Sequence, residues 1–243
     1  EVLYEECLVL FQRLEDKRGI AWSSRNFGVL ARYLGEYERA KSLYEESLAL
    51  FRSLNHPRGI ASSLRNLGTI ARFQGDFERA TLLYEESLEL FRALTHTRGI
   101  AWSLRSLGLI ALHRGEYQRA GLLLQESLSM FRELGDRRVI AWSLQSLGSV
   151  ARHTGDHRRA ARLFGAVEAL RDAINASLPP ADRDAYNDDL AALRAELGEA
   201  ELASTWMEGR ALQLEATVDE ALEQRFAEER YLTIGQPSPQ PQQ

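Results

Sequence analysis

Arginine recurs at forty-residue intervals in two positions of the sequence, and these residues are the best candidates for a chemical role. The first ladder consists of Arg25, Arg65 and Arg105, and the second ladder consists of Arg32, Arg72 and Arg152. A guanidinium group holds a carboxylate at two points and stays charged at physiological pH. The two ladders therefore suggest recognition of an acidic group rather than catalysis.

Other polar and aromatic residues recur beside the ladders. Asn26 and Asn66 directly follow the first two arginines of the first ladder, and an amide both donates to and accepts from a peptide backbone. The remaining candidates are Trp22, Tyr33, Phe73, Trp102, His113, Trp142, Gln145 and His153. Aromatic rings supply contact area at a low cost in conformational entropy. Together these residues predict a protein or peptide ligand, and their chemistry suits an acidic or extended peptide.

The sequence leaves a second interpretation of the arginines open. They could pair with glutamates of neighbouring units, such as Glu45 and Glu46, and form a solvated polar face. The tryptophans could pack between units or, alternatively, form a platform on which bases stack. His113 and His153 occupy equivalent positions, but two histidines without a third ligand make a poor metal site. We expect these two histidines to line a partner-binding groove together with the arginines rather than to bind a metal.

Catalytic motifs are missing from the sequence. It contains no Ser/His/Asp set, no Gly-rich phosphate loop and no HExxH, and its glycines are spread out rather than clustered as GxGxxG. We therefore predict no enzymatic activity, no catalytic residue, no cofactor and no metal.

Composition narrows the function classes further. The chain has 243 residues and a net charge of −5, which argues against non-specific binding to nucleic acid or to an anionic membrane. Cys7 is the single cysteine, so no internal disulfide can form, and we expect a cytoplasmic setting. No run of 18 apolar residues predicts a membrane span, and no signal peptide is visible.

A forty-residue repeat positions all of these side chains. The sequence Arg-Gly-Ile-Ala begins at residues 18, 58 and 98, and Arg-Val-Ile-Ala begins at residue 138. In the first unit we predict helices at about 20–34 and 36–54, because Gly35 suits a helix end and Pro57 suits the first turn of the next helix. We predict Asp16, Thr95 and Asp136 as N-caps. We also expect Gly28 and Ala40 to let the two helices approach closely.

Leu67-Gly68, Gly75-Asp76-Phe77, Ala80 and Tyr84 resemble the tetratricopeptide repeat signature in a forty-residue form. The resemblance covers residues 15–176. It implies an all-α fold, a solenoid of tandem helix-turn-helix units wound as a right-handed α–α superhelix. It also implies that the first helix of each unit lines a concave groove, which would hold the ladders and their neighbours. Ser47, Ser87 and Ser127 depart from the family, which usually has alanine there.

The two ends differ from the repeats. Residues 1–14 match the second helix of a unit, so we expect them to be the end of a truncated repeat and expect further sequence before them. We predict capping helices within 177–230, at about 181–197, 199–207 and 214–226, with Gly198 ending the first and Gly209 separating the last two. Residues 231–243 are rich in Pro and Gln and should be disordered.

A second resemblance covers about 160–225 and suggests a role. Leu163-Phe164-Gly165-Ala166, Leu178-Pro179-Pro180 and Trp206 to Leu212 are similar to the C-terminal region of bacterial multidomain signalling ATPases and LuxR-type transcriptional regulators. This resemblance implies a sensor or autoinhibitory region whose partners include other domains of the same protein. The alternative is a free-standing scaffold that assembles other proteins.

Overall fold

The computed structural model describes residues 10–11, 13–177 and 180–223, and within them the regular structure is helical, with no strand. The helices are α1 (Lys17–Tyr33), α2 (Tyr37–Ser53), α3 (Pro57–Phe73), α4 (Phe77–Ala93), α5 (Thr97–His113), α6 (Tyr117–Glu133), α7 (Arg137–His153), α8 (His157–Ile174), α9 (Pro180–Ala211) and α10 (Leu214–Glu223). Each helix from α1 to α8 packs against the helix that follows it in the sequence. This confirms the predicted all-α solenoid, whose four units are α1–α2, α3–α4, α5–α6 and α7–α8.

Three-residue turns connect the helices of the row. The middle residue of every turn from α1 to α8 has a positive φ, as in Gly35 at +80° and Asn55 at +46°. After α1, the Gly35 amide donates to the Arg32 carbonyl and the Glu36 amide donates to the Ala31 carbonyl, which closes a Schellman motif. Helices of 17 residues and turns of three therefore produce the forty-residue repeat.

The N-caps confirm one prediction and correct another. Asp16 and Asp136 cap α1 and α7 with their carboxylates, as predicted. The prediction for Thr95 is wrong, because Thr95 adopts the left-handed conformation in the turn (φ +49°). The cap is His96, whose Nδ1 accepts from the Gly99 amide at 2.9 Å. His56 caps α3 in the same way.

Glycines make room for large side chains of neighbouring helices. A Cβ on Gly28 would lie 2.5 Å from Tyr44 Cε1, so this glycine accommodates the tyrosine ring of α2. A Cβ on Gly59 would lie 2.3 Å from Phe51 Cγ, which joins one unit to the next. The same pairing of glycine and large side chain recurs along the row and sets the distance between its helices.

Buried serines hold the units together where the family usually has alanine. Ser47 and Ser63 share a hydrogen bond of 3.0 Å between their hydroxyls. Ser87 and Ser127 donate to the carbonyls of Ala61 and Ala101, each at 2.9 Å. These serines are fully buried, so the hydrogen bonds satisfy hydroxyls that would otherwise be costly.

The C-terminal helices differ from the prediction at Gly209. The long helix α9 bends at Gly198, where φ is +73°, and then continues through Gly209 to Ala211 instead of ending near Met207. A Cβ on Gly209 would lie 2.0 Å from the Arg162 carbonyl oxygen, and one on Gly165 would lie 2.2 Å from the Trp206 carbonyl oxygen. Gly209 is thus a point of close helix contact with α8, not a separator. The short helix α10 then lies against α6, α7 and α8.

Several predicted segments lie outside the described residues. They include nearly all of the half-repeat at 1–14, the Pro/Gln-rich segment 231–243, the residues 224–226 of the last predicted helix, and Cys7. Within the described part, none of the helices combines the length and the apolar character that crossing a membrane requires.

Candidate functional site

A concave pocket of about 380 Å³ runs along the first helices of all four units. Many of the predicted site residues line it: Arg25, Arg32, Tyr33, Arg65, Asn66, Arg72, Phe73, Trp102, Arg105 and Trp142. They meet because helices of equal length repeat every forty residues, so that equivalent positions face the same way. Residues seven apart, such as Arg25 and Arg32, lie two turns apart on one helix face. We call this surface the inner face.

The inner face carries positive charge without acidic residues. Among the described residues, none that lines the pocket is Asp or Glu. Arg25, Arg32, Arg65 and Arg72 form no ion pair with a carboxylate in the described part of the chain. Burial lowers the pKa of the Arg65 guanidinium to about 10, and the positive charge of Arg25 lowers it too. Since that pKa is well above 7, Arg65 remains a cation at neutral pH.

Aromatic rings hold several of these guanidinium groups. Arg65 lies 5.7 Å from the centroid of Trp102, and Arg105 lies 6.0 Å from Trp102 and 5.7 Å from Trp142. In the second ladder, Arg72 lies 4.5 Å from the ring of Phe73. A cation above an aromatic face is stabilised by the ring quadrupole, but it keeps its charge. The rings therefore position the arginines without neutralising them.

The two predicted asparagines differ in their surroundings. Asn26 is exposed, and its side-chain oxygen accepts from Arg25 Nη1 at 3.0 Å. Asn66 is 8% exposed and lines the pocket, and its Nδ2 is buried without a hydrogen-bond acceptor in the described residues. A buried donor without an acceptor is costly. Asn66 is thus a donor available to a ligand.

Other predicted residues pack against rings of other helices instead of lining this pocket. Trp22 packs edge-on against Phe51 of the same unit, with ring centroids 4.9 Å apart. His113 stacks on Phe77 at 4.1 Å, and His153 stacks on the ring of Tyr117 at 4.6 Å. Phe73 makes the equivalent stack on Tyr37 at 5.4 Å while also lining the pocket. These stacks join the first helix of one unit to the second helix of the unit before it.

The fourth unit packs against α9, and several of its polar side chains form ion pairs or hydrogen bonds with other residues of the chain. Arg152 forms an ion pair with Asp189, whose carboxylate is 5% exposed and also accepts from Ser149 Oγ at 2.5 Å. The side chain of Gln145 bonds to Arg171 of α8. The prediction included Arg152 and Gln145 but missed Asp189, because the repeat does not indicate where α9 packs. A smaller pocket of about 90 Å³ lies at this end of the row and is lined by Trp142, Gln145 and Tyr186, among others.

Glutamates of the second helices pair elsewhere, on what we call the outer face. Glu45 lies 3.9 Å from Arg79, and Glu86 lies 3.7 Å from Arg52. The same arrangement recurs one unit later, where Glu85 lies 3.8 Å from Arg119 and Glu126 lies 3.9 Å from Arg92. Glu45, Glu85, Glu86 and Glu126 are thus paired with arginines outside the two ladders.

Comparisons with known proteins agree with this geometry. One model described as tetratricopeptide repeat matches residues 1–53 and 99–173, and a second model of the same description matches residues 60–94. The chain belongs to the tetratricopeptide repeat family. Repeats of this family act as protein-interaction modules and are generally not catalytic.

A solved structure supports the fold of this tetratricopeptide repeat protein. The crystal structure of BtubC (BKLC) from P. vanneervenii is similar, with a TM-score of 0.60 and 24% sequence identity. The match covers 73% of this chain and 74% of BtubC. No curated protein matches the sequence. At this identity the likeness concerns the fold alone.

Proposed function

We propose that this tetratricopeptide repeat protein binds an acidic, extended segment of a protein along its inner face. We further propose that it does so as the sensor or autoinhibitory region of a larger bacterial signalling regulator. The observation that carries the proposal is that Arg25, Arg32, Arg65 and Arg72 line the pocket without a carboxylate partner in the described residues.

Electrostatics favours an acidic ligand. Arg25 and Arg65 stand at successive units along one pocket, and the charge of Arg25 lowers the pKa of Arg65, as expected for neighbouring cations that repel one another. A peptide carboxylate would relieve that repulsion and gain charge-assisted hydrogen bonds. The buried donors Arg25 Nε and Asn66 Nδ2 would also find acceptors. A neutral segment could offer backbone carbonyls to these donors, but it would not relieve the repulsion between the arginines.

Shape favours an extended segment. The lining residues come from α1, α3, α5 and α7, together with Tyr84 of α4, so the pocket follows the row rather than forming one compact cavity. Trp102, Trp142 and Phe73 offer flat apolar area between the charged groups. In our proposal the backbone of an extended peptide lies along these rings while its acidic side chains reach the arginines.

The sensor role rests on the resemblance of residues 160–225 to the C-terminal region of bacterial signalling ATPases. In that role the ligand would shift the equilibrium between closed and open forms of the parent protein, and the other domains would be partners. We propose a non-catalytic, cytoplasmic protein without direct contact to nucleic acid or membrane. A phosphate-binding loop and a DNA-binding or catalytic domain in the same polypeptide would support the sensor, whereas further repeats alone would support a free-standing scaffold.

Peptide binding tests the inner-face proposal directly. The probe is a fluorescent peptide of alternating serine and glutamate, and its affinity is measured by anisotropy. We expect Arg25→Gln combined with Arg65→Gln to weaken binding at least about 100-fold, because each charge-assisted contact contributes about 1.5–3 kcal/mol. The matched control is Arg52→Gln with Arg92→Gln on the outer face, which should bind like the unchanged protein.

Two readouts make the test decisive. Circular dichroism must show equal helix content in both double variants, so that a loss of affinity reflects lost contacts rather than unfolding. Equal affinity of the inner-face variant and the unchanged protein would contradict the proposal. So would a peptide of alternating serine and lysine that binds as tightly as the acidic one.

A further inference from the structure

At one end of the second ladder, the protein fills an arginine site with its own carboxylate. Asp189 of α9 accepts from Ser149 Oγ at 2.5 Å and forms an ion pair with Arg152. With 5% of its surface exposed, Asp189 is enclosed between α7 and α9. Because α9 is not part of the repeat, this carboxylate occupies the inner side of a repeat helix as a ligand would. Ser149 and Arg152 thus show how this scaffold holds a carboxylate.

The same pair of groups occurs two units earlier. Thr69 and Arg72 are the counterparts of Ser149 and Arg152, eighty residues before them, on the helix α3 that has the same length as α7. Both line the main pocket. The other two units lack one or both groups, since the first unit has Val29 beside Arg32 and the third has Leu109 and Leu112. Within the row, α3 is therefore the other helix that carries both a hydroxyl and a guanidinium in this register.

The hydroxyls of the two pairs have matching surroundings. Thr69 Oγ1 lies 3.1 Å from the carbonyl of Arg65, and Ser149 Oγ lies 3.4 Å from the carbonyl of Gln145, four residues back in each case. Each hydroxyl can therefore turn its proton between that carbonyl and an acid in front of it. Thr69 also accepts from the Tyr84 hydroxyl at 3.1 Å, which fixes the oxygen in the pocket.

The guanidinium of Arg72 has no carboxylate partner in the described residues. It lies over the ring of Phe73 at 4.5 Å, as Arg152 lies beside His153. Three residues before Thr69 on the same helix, Asn66 also lines the pocket, and its buried Nδ2 has no acceptor among the described groups. The site therefore contains three groups that can donate hydrogen bonds: the Arg72 guanidinium, the Thr69 hydroxyl and the Asn66 amide.

We infer that Thr69 and Arg72 form the seat for one carboxylate of the bound segment, equivalent to the seat that Asp189 fills at Ser149 and Arg152. The inference rests on the proposed function and makes it more specific. It places an Asp or Glu side chain, or a terminal carboxylate, at the second unit, with Asn66 Nδ2 donating a hydrogen bond to the same ligand. Arg32, which has no hydroxyl beside it, is a weaker contact.

Leucine substitutions test the seat, because the third unit shows that this register tolerates leucine. The acidic fluorescent peptide is measured against Arg72→Leu, Thr69→Leu and the matched control Arg32→Leu. We expect Arg72→Leu to weaken binding about tenfold or more, and Arg32→Leu to weaken it less than about threefold. We expect Val29→Thr, which places a hydroxyl beside Arg32, to strengthen binding of the same peptide.

The outcomes separate the seat from the broader proposal. Equal losses for Arg72→Leu and Arg32→Leu, with binding to the unchanged protein intact, would overturn the seat and leave the inner-face proposal standing. No binding to the unchanged protein would overturn both. The peptide is used in amidated and free-acid forms, since preference for the free acid assigns the seat to a chain terminus and equal affinity assigns it to a side chain.

Discussion

Arginines on the two faces of the repeat row have different neighbours. On the outer face, Arg52 and Arg92 reach the glutamate of the next unit at 3.7 and 3.9 Å. On the inner face, Arg25 and Arg65 face tryptophans and other arginines, without a carboxylate partner in the described residues. The same side chain thus balances charge between units on one face and presents unbalanced charge on the other.

This difference supports the proposal that the inner face is the one that binds the partner. Exposed ion pairs such as those of the outer face contribute only about 0–1 kcal/mol each, so they do not hold the row together. The buried core and the close glycine contacts do that. On the inner face, Arg25, Arg32, Arg65 and Arg72 have no such ion pair in the described residues, and this supports our proposal of an acidic ligand there.

Arg152 provides the largest test of the comparison, because this arginine of the second ladder forms an ion pair with a carboxylate of α9. Its partner Asp189 is buried, so Arg152→Leu would leave an uncompensated buried charge. We expect a loss of about 3–5 kcal/mol in the free energy of unfolding in urea. Arg72→Leu, in the equivalent position without a carboxylate, should change it by less than about 0.5 kcal/mol.

The double variant Arg152→Leu with Asp189→Leu serves as the control for that measurement. Removing both charges should recover most of the lost stability, since no unpaired charge remains. Equal effects of Arg152→Leu and Arg72→Leu would mean that the carboxylate of Asp189 does not distinguish the two sites.

Glycine contacts should matter more than the outer ion pairs. A Cβ on Gly99 would lie 2.4 Å from the ring of Phe91, which is itself 2% exposed. We expect Gly99→Ala to lower the free energy of unfolding by about 1–3 kcal/mol, because the buried ring must move. Arg92→Gln should lower it by less than about 1 kcal/mol. A larger loss for Arg92→Gln would show that outer ion pairs, not packing, join the units.

The sequence predicted the row because local signals repeat with one period. A helix end equivalent to the one at Gly35, and a helix start equivalent to the one at Asp16 or Pro57, recur every forty residues. This regular spacing places the ladders on one face. It could not predict Asp189, because α9 lies outside the repeat and its position depends on the close contacts of Gly165 and Gly209. Gly209 looked like a helix separator because its packing role depends on tertiary structure.

Removing one arginine from each face should change the melting temperature in opposite directions. Replacing Arg65 by Gln removes a buried cation whose pKa is lowered by burial and by Arg25, so its charge opposes folding. We expect Arg65→Gln to keep or slightly raise the melting temperature, offset by the lost contact with Trp102. Arg92→Gln should slightly lower it. Thermal melts at low and moderate salt measure both, and a clear loss for Arg65→Gln would indicate that this arginine stabilises the row.

The smallest expected effect concerns His96, at the start of α5. Its Nδ1 accepts from the Gly99 amide, which requires the neutral ring. Burial lowers the pKa of His96 first, and the charge of Arg58 lowers it further. A base with a lowered pKa stabilises the fold fully above its ordinary value of about 6.5, and that contribution is lost as the pH falls below it. Stability should therefore decrease between pH 7.5 and 5.5.

The variant His96→Asp isolates that contribution, because aspartate already caps the equivalent helices at Asp16 and Asp136. A carboxylate stays ionised through this pH range and keeps the cap, which is worth about 0.5–2 kcal/mol. We expect the melting temperature of His96→Asp to fall less than that of the unchanged protein from pH 7.5 to 5.5. Identical decreases in melting temperature would show that protonation of His96 does not destabilise the fold. They would also show that the arginines near it, Arg58 among them, do not influence this helix start.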